Sequence, residues 1–367
     1  MNTLQRLHAE QDQSPWIDFI DRELISSGKL EEMVNDGIRG LTSNPTIFAK
    51  AIASGQYDEL IKEQIDAGHT NEQIFEEIAV SDVGDAADAL RRVYDASNGT
   101  DGFASIEVEP ALADDTAGTV ERARHLWGRL HRPNVFVKIP ATEAGVPAIS
   151  QCIAEGININ VTLMFSVDVY RDVAQAYLEG LRKRRDQGHN LDRLASVASF
   201  FVSRVDTKVD KQLETRQDRG ARDVMGKAAI ANAKMAYQAY LDIFHGADFE
   251  DLRTAGAQVQ RCLWASTSTK NPDYRVVLYV EDLIGPETVN TMPIDTIKAF
   301  LDHGDVQRTV DRDVDEARQM LRDLQGQGID MQQVTDELIE EGVSAFAKSF
   351  EDLMDTIDSQ RKALATA

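Results

Sequence analysis

Cysteine is nearly absent from this chain: two in 367 residues, Cys152 and Cys262, too few and too far apart for a disulfide framework. Both sit in apolar stretches and are expected to be reduced, buried filler. Long apolar runs are missing as well, none approaching the ~20 residues a helix needs to cross a bilayer. The first residues, Met1-Asn2-Thr3-Leu4-Gln5-Arg6-Leu7-His8, lack the apolar core of a secretion signal, so a cytoplasmic protein with no membrane partner is expected. Positive charge is in deficit, 39 Lys and Arg against 62 Asp and Glu, for a net charge of −23. That balance disfavours nucleic acid and anionic membranes, which need a basic footprint. It leaves room for a small anionic substrate, because nearby basic groups outweigh a distant screened field. Most of the acid is expected to be solvated surface. The seven histidines make no metal-site spacing with cysteine or carboxylates, and a metal-dependent mechanism is disfavoured.

What is present is an ordinary globular composition, 42% hydrophobic and 28% charged. Strand-like and helix-like segments alternate along most of the chain, the pattern of a parallel sheet with helical crossovers. The expected strands are Pro15–Ile20, Ile38–Ser43, Phe103–Glu109, Val135–Ile139, Asn158–Met164, Ser196–Val202, Arg261–Thr267 and Thr288–Met292. Eight strands with helices between them make the count of an α/β (β/α)8 TIM barrel. Between the third and fourth, Val120, Ala123, Trp127 and Leu130 recur at helical spacing after Asp115-Thr116. Thr207–Phe244 is long and charged and predicts additional helix after strand six. From Val306 to Ala367 the pattern is again helical. No linker, repeat or low-complexity tract interrupts residues 1–367, so one domain with helical extensions is expected.

The fourth strand carries an anomaly. Val135-Phe136-Val137-Lys138-Ile139-Pro140 is a buried-strand pattern with a lysine inside it. An amine held in an interior is costly as an ammonium and tends toward the free, nucleophilic base, although a strand-end lysine reaching out to water is the commoner arrangement. The period of two gives the company it keeps. Trp16, Asp18 and Ile20 share one face of the first strand; Ser105, Glu107 and Glu109 one face of the third; Asn158, Asn160, Thr162 and Met164 one face of the fifth; Ser199 and Phe201 one face of the sixth. If the wholly apolar faces meet the helices, these faces point into the barrel. Barrel interiors are normally branched aliphatics, and buried charge costs several kcal/mol unless paired. A buried ion pair alone would explain one lysine and one acid. So many polar groups read more naturally as an active site.

Several motifs in fixed order resemble the transaldolase family: Gly40-Leu41-Thr42-Ser43-Asn44-Pro45-Thr46-Ile47-Phe48, Phe136–Thr142, Asn158–Ser166, Ser199–Asp206 and Thr291-Met292-Pro293. The likeness runs from about Trp16 to Gly304. It implies a (β/α)8 barrel working without metal or cofactor on sugar phosphates, as a monomer or homodimer. By that resemblance, Lys138 forms a Schiff base with a ketose phosphate. Asp18 is then the acid/base at the C4 hydroxyl, and Glu107 with Thr162 handles water during imine formation. Asn44, Asn160 and Ser199 would hold the three-carbon unit, and Arg204 the phosphate. Asn44 is equally accounted for by turn chemistry before Pro45; Glu109 is expected to be an ordinary exposed glutamate.

One site departs from the family pattern. Where many members have Ser-Phe-Arg after strand seven, this chain has Ala265-Ser266-Thr267-Ser268-Thr269-Lys270. Ser266 matches the serine and no arginine comes after it, so Lys270 with nearby backbone N–H groups is the expected substitute; the other reading is that Lys270 and Tyr274 are simple loop residues. The resemblance leaves two other readings: a fructose 6-phosphate aldolase-type lyase, and a barrel that binds phosphosugars without turnover. In the aldolases a glutamine stands at the Glu107 position and a tyrosine at the Phe201 position. Glu107 and Phe201 therefore favour transfer.

Overall fold

Eight parallel strands close on themselves in sequence order, β1 (Gln13–Asp18), β2 (Gly40–Thr42), β3 (Phe103–Glu107), β4 (Val135–Pro140), β5 (Ile159–Met164), β6 (Ser196–Phe201), β7 (Gln260–Ala265) and β8 (Thr288–Met292), with β8 pairing back to β1. This is the (β/α)8 barrel, in a computed structural model that describes residues 1–214 and 219–365. Helices fill the crossovers. Thr116–Leu130 is one of them, its N-terminus capped by Asp115 accepting from the Gly118 N–H. The stretch after strand six folds into Ser203–Glu214, Arg219–Val224 and Ala228–Phe244, with residues 215–218 outside the described part. Among the described residues no helix is long and apolar enough to cross a membrane.

The interior obeys the period of two. Trp16, Phe103 and Phe136 floor the barrel, with Phe103 and Phe136 stacked at 4.1 Å and Trp16 against Phe136 at 6.1 Å between ring centroids. Val197, Leu263 and Val289 complete that apolar layer. The opposite faces of the strands, including Val137, Ile139, Val161 and Phe200, join the main core beneath the helices. β2 contributes Gly40 where Trp16 lies across it; a Cβ there would come within 2.4 Å of the indole. Gly40→Ala is therefore expected to cost about 1–3 kcal/mol by overpacking. A lowered denaturant midpoint at unchanged slope would show it.

The ends of the strands correct the expectation. β1 stops at Asp18, β3 at Glu107 and β7 at Ala265, so Ile20, Glu109 and Thr267 are loop residues. The chain leaves the ladder as soon as the last inward side chain has been placed. Glu109 is not a plain exposed acid; Arg122 pairs with it and also with Glu76 at 2.6 Å, tethering the loop after β3. In β5 the alternation itself breaks. Leu163 has φ +57° and the register with β6 slips between Val161 and Met164. One left-handed residue reverses the sidedness of the strand beyond it, so Met164, expected inside, lies in the outer core and Leu163 faces the cavity instead.

The C-terminal helix, Met331–Ala365, runs across the barrel mouth. Lys208 grips its Glu337 and Glu341 at 2.7 and 2.6 Å. Further along, Thr46 donates to Ser349, Gln360 to the Ile52 carbonyl and Arg361 to the His69 carbonyl. Phe350 sits edge-on to Phe75, which sits edge-on to Phe48. The last two residues, 366–367, are outside the described part.

Candidate active site

Parallel register assembles the site. Glu107 stands opposite Lys138, Lys138 opposite Asn160, Pro140 opposite Thr162, and Asp18 opposite Thr42. Neighbouring strands lie about 4.8 Å apart, so these side chains rise into the barrel as neighbours. Asp18, Thr42, Glu107, Lys138 and Thr162 floor a cavity of about 390 Å³ at the C-terminal end of the strands, where barrel loops ordinarily carry function.

Lys138 is 8% exposed and turned inward. Its Nζ forms an ion pair with Glu107 Oε1 and donates to the Ser43 carbonyl at 3.0 Å. Glu107 Oε2 is buried with no hydrogen-bond partner among the described residues. Such an atom invites a water or a substrate hydroxyl. Burial lifts the Glu107 carboxyl above its ordinary range; Lys138 opposes the rise and the charge of Asp18 adds to it. Burial also lifts Asp18, against the pull of Lys138 and a 2.8 Å hydrogen bond from the Thr42 hydroxyl. Thr42 in turn meets the Thr291 hydroxyl at 2.9 Å. Two acids with different partners around one amine can hold different protonation states.

Two basic side chains, Arg204 and Lys270, also line the cavity. Arg204, second residue of the helix Ser203–Glu214, lies with its guanidinium 5.2 Å from the Phe201 ring centroid and makes no ion pair among the described residues. Burial lowers its pKa, with Asp18 and Glu341 opposing. Ser266 takes a left-handed φ of +56° and meets Ser203 twice, carbonyl to backbone N–H at 3.1 Å and hydroxyl to hydroxyl at 2.9 Å. Lys270 lines the rim, exposed, its Nζ donating to Ser268 Oγ at 2.8 Å.

Residues 15–357 match the family model described as Transaldolase/Fructose-6-phosphate aldolase. The chain belongs to this family. Among curated relatives, Transaldolase of Saccharopolyspora erythraea is 47% identical over 98% of this chain and 99% of its own. Transaldolase 2 of Nostoc sp. is 46% identical over 97% of both chains. Transaldolase of Mycobacterium tuberculosis is 46% identical over 93% of this chain and 92% of its own.

Of the residues expected in this transaldolase-family site, Asp18, Asn44, Glu107, Lys138, Thr162, Ser199, Phe201, Arg204, Ser266 and Lys270 line the one cavity. Asn160 does not. It is fully buried beneath Ser199, accepting from its Oγ at 2.7 Å and donating to Ser105 Oγ at 3.2 Å, so the amide oxygen and nitrogen each bond inside the protein. It holds the Ser199 hydroxyl by that bond. Asn44 unites its two readings: Oδ1 caps the helix Pro45–Ala53 at the Ile47 N–H, and the residue still lines the cavity.

Sequence reasoning missed Thr42, Leu163 and Thr291, and also Gly342, Ala345 and Phe346 of the C-terminal helix, all of which line the same cavity. Thr42 and Thr291 were within reach, since each lies in a family-like motif and shares parity with an inward residue. Nothing local in a generic amphipathic helix marks it as a roof.

Proposed function

We infer that this enzyme, a transaldolase, moves a dihydroxyacetone unit from sedoheptulose 7-phosphate to glyceraldehyde 3-phosphate. The products are erythrose 4-phosphate and fructose 6-phosphate, and the carrier is a Schiff base on Lys138. The observation that carries the reading is one inward amine in contact with Glu107, in a cavity that also holds a second acid, Asp18, and an arginine free of ion pairs among the described residues. The free amine adds to the C2 carbonyl, and the carbinolamine loses water to give the imine. Glu107, whose raised pKa suits it to carry a proton, supplies that proton to the leaving water, with Thr162 steadying the water. Asp18 then takes the C4 hydroxyl proton. The C3–C4 bond breaks, its electron pair passing into the enamine while the first aldose departs. A second aldehyde accepts the enamine carbon, Asp18 returns its proton, and water hydrolyses the new imine to restore Lys138.

Arg204 is well suited to a phosphate dianion through its planar fork, and Lys270 and Ser266 line the same cavity. Asn44 and Ser199 hold the hydroxyls of the three-carbon unit. The reading places the enzyme in the cytoplasm, in the pentose phosphate pathway. Ketose cleavage measured with and without an acceptor aldose tests it: turnover only with acceptor is expected. Equal release of dihydroxyacetone without acceptor means a lyase, and no cleavage under either condition means a binding protein.

A further inference from the structure

The loop after β7, residues 266–277, brings Ser266, Ser268 and Lys270 to the cavity, yet among the described residues the Lys270 ammonium hydrogen-bonds only to Ser268 of the same loop. Something else must fix the position of its ammonium. At the near end the loop is pinned by Ser266 against Ser203. At the far end it is pinned by Tyr274, whose hydroxyl donates to Asp210 Oδ2 at 2.6 Å. Asp210 is 6% exposed, and its other oxygen accepts the Gly226 N–H at 2.9 Å. The Tyr274 ring covers Gly226, which has φ +70° and no room for a Cβ, since one would lie 2.6 Å from the ring. Between the two pins, Asn271 turns the chain tightly, its carbonyl taking the Tyr274 N–H and its side chain the Asp273 N–H. Little slack separates Tyr274 from Lys270.

One turn earlier on the same helix, Asp206 repeats the arrangement. It accepts the Tyr279 hydroxyl at 2.8 Å and the Ala229 N–H at 2.7 Å, the latter in the first turn of Ala228–Phe244. Burial pushes both phenols far above their ordinary range, so they remain donors at any working pH. Ser203, Arg204, Asp206 and Asp210 all belong to Ser203–Glu214. Both cations of the phosphate end are thereby referenced to one helix, Arg204 directly and Lys270 through Tyr274.

We propose that Tyr274, gripped by Asp210, is a positioning residue for the phosphate end of the site: it holds the Lys270 loop in place and sets the affinity for the phosphorylated substrate. The proposal rests on the phosphate reading above and explains how the chain works without an arginine after Ser266. Hydrogen bonds to a carboxylate are among the stronger ones, and losing this part-buried one frees the far end of the loop that carries Lys270.

The test compares wild type with Tyr274→Phe, which removes one oxygen, using fructose 6-phosphate and fructose as donors and inorganic phosphate as a competitive inhibitor. The expected result is a roughly tenfold rise in KM for fructose 6-phosphate and in the phosphate inhibition constant, with a far smaller change in kcat. The ratio of kcat/KM for fructose 6-phosphate over fructose falls accordingly. Tyr279→Phe is the control; it loses a phenol–aspartate bond from the same helix, more deeply buried, and is expected to lower the Tm while leaving phosphate inhibition as in wild type. An unchanged phosphate inhibition constant in Tyr274→Phe overturns the proposal, as does an equal loss of phosphate affinity in both variants. If Tyr274→Phe does not fold, Asp210→Asn carries the same test, since its amide still reaches Gly226 and weakens only the grip on the phenol. A wild-type enzyme without acceptor-dependent turnover would instead defeat the functional reading, so the two failures are distinguishable.

Discussion

Replacing Lys138 with alanine is expected to abolish borohydride-trappable adduct with fructose 6-phosphate and to lower kcat by about 10⁴-fold or more, the scale on which loss of a nucleophile falls. In the wild type, hydride adds across the imine carbon and leaves a stable secondary amine, and peptide mass mapping should place it on the peptide containing Lys138. Burial by itself does not select this lysine, since Lys234 is equally buried at 8% exposure. Lys234, however, donates to the Arg312 carbonyl at 2.9 Å in the helical layer and does not line the cavity. Lys270 does line it, but at the exposed rim. Among the described lysines, only Lys138 sits at the cavity floor with a carboxylate in contact. Retention of the adduct in Lys138→Ala, on Lys270 or elsewhere, would sink the assignment. The variant also leaves Glu107 buried without its cation, which should push that carboxyl higher still.

The barrel and the floor of its cavity were legible because both stem from one rule, the alternation of side chains along a strand. Parity alone placed Asp18, Glu107, Lys138, Thr162, Ser199 and Phe201 on inward faces, and the fold puts them around one cavity. The rule failed where backbone geometry changed without a sequence marker. Leu163 adopts a left-handed conformation that leucine rarely takes, and no glycine announced the slip that turned Met164 outward. Parity also could not separate Asn160 from Thr162, although one is covered by Ser199 and the other open to the cavity. Depth along the barrel axis depends on what stacks above, and that is set by neighbouring strands. The roof was illegible for a related reason. Gly342, Ala345 and Phe346 meet the site through contacts between parts of the chain as far apart as Thr46 and Ser349, 303 residues away in sequence.

Asp18→Asn separates the two costs that a buried acid imposes. Its activity should fall by about 10²–10⁴-fold, the usual span for losing a general acid–base group, because the amide cannot take the C4 hydroxyl proton. Imine formation precedes that step, so borohydride should still trap an adduct on Lys138 with the intact ketose, and its survival distinguishes this variant from Lys138→Ala. Stability should move the other way. Asp18 has a folded-state pKa raised by burial, with Lys138 and Thr42 only partly opposing. Above that raised value the carboxylate is charged in both folded and unfolded chains, and the folded state bears the part of the desolvation cost that its neighbours do not offset. Below the ordinary aspartate range, about 3.9, the group is neutral in both and contributes nothing. The asparagine amide keeps an acceptor for the Thr42 hydroxyl while removing the charge. Asp18→Asn should therefore be more stable than wild type at neutral pH, with the advantage shrinking as pH falls through the raised pKa. Denaturant midpoints across that range check the sign. A variant that is inactive but no more stable at neutral pH would mean that the Lys138 field outweighs burial at this carboxylate. The acid limb of the wild-type pH–rate profile should then lie at an ordinary aspartate pKa and not above it.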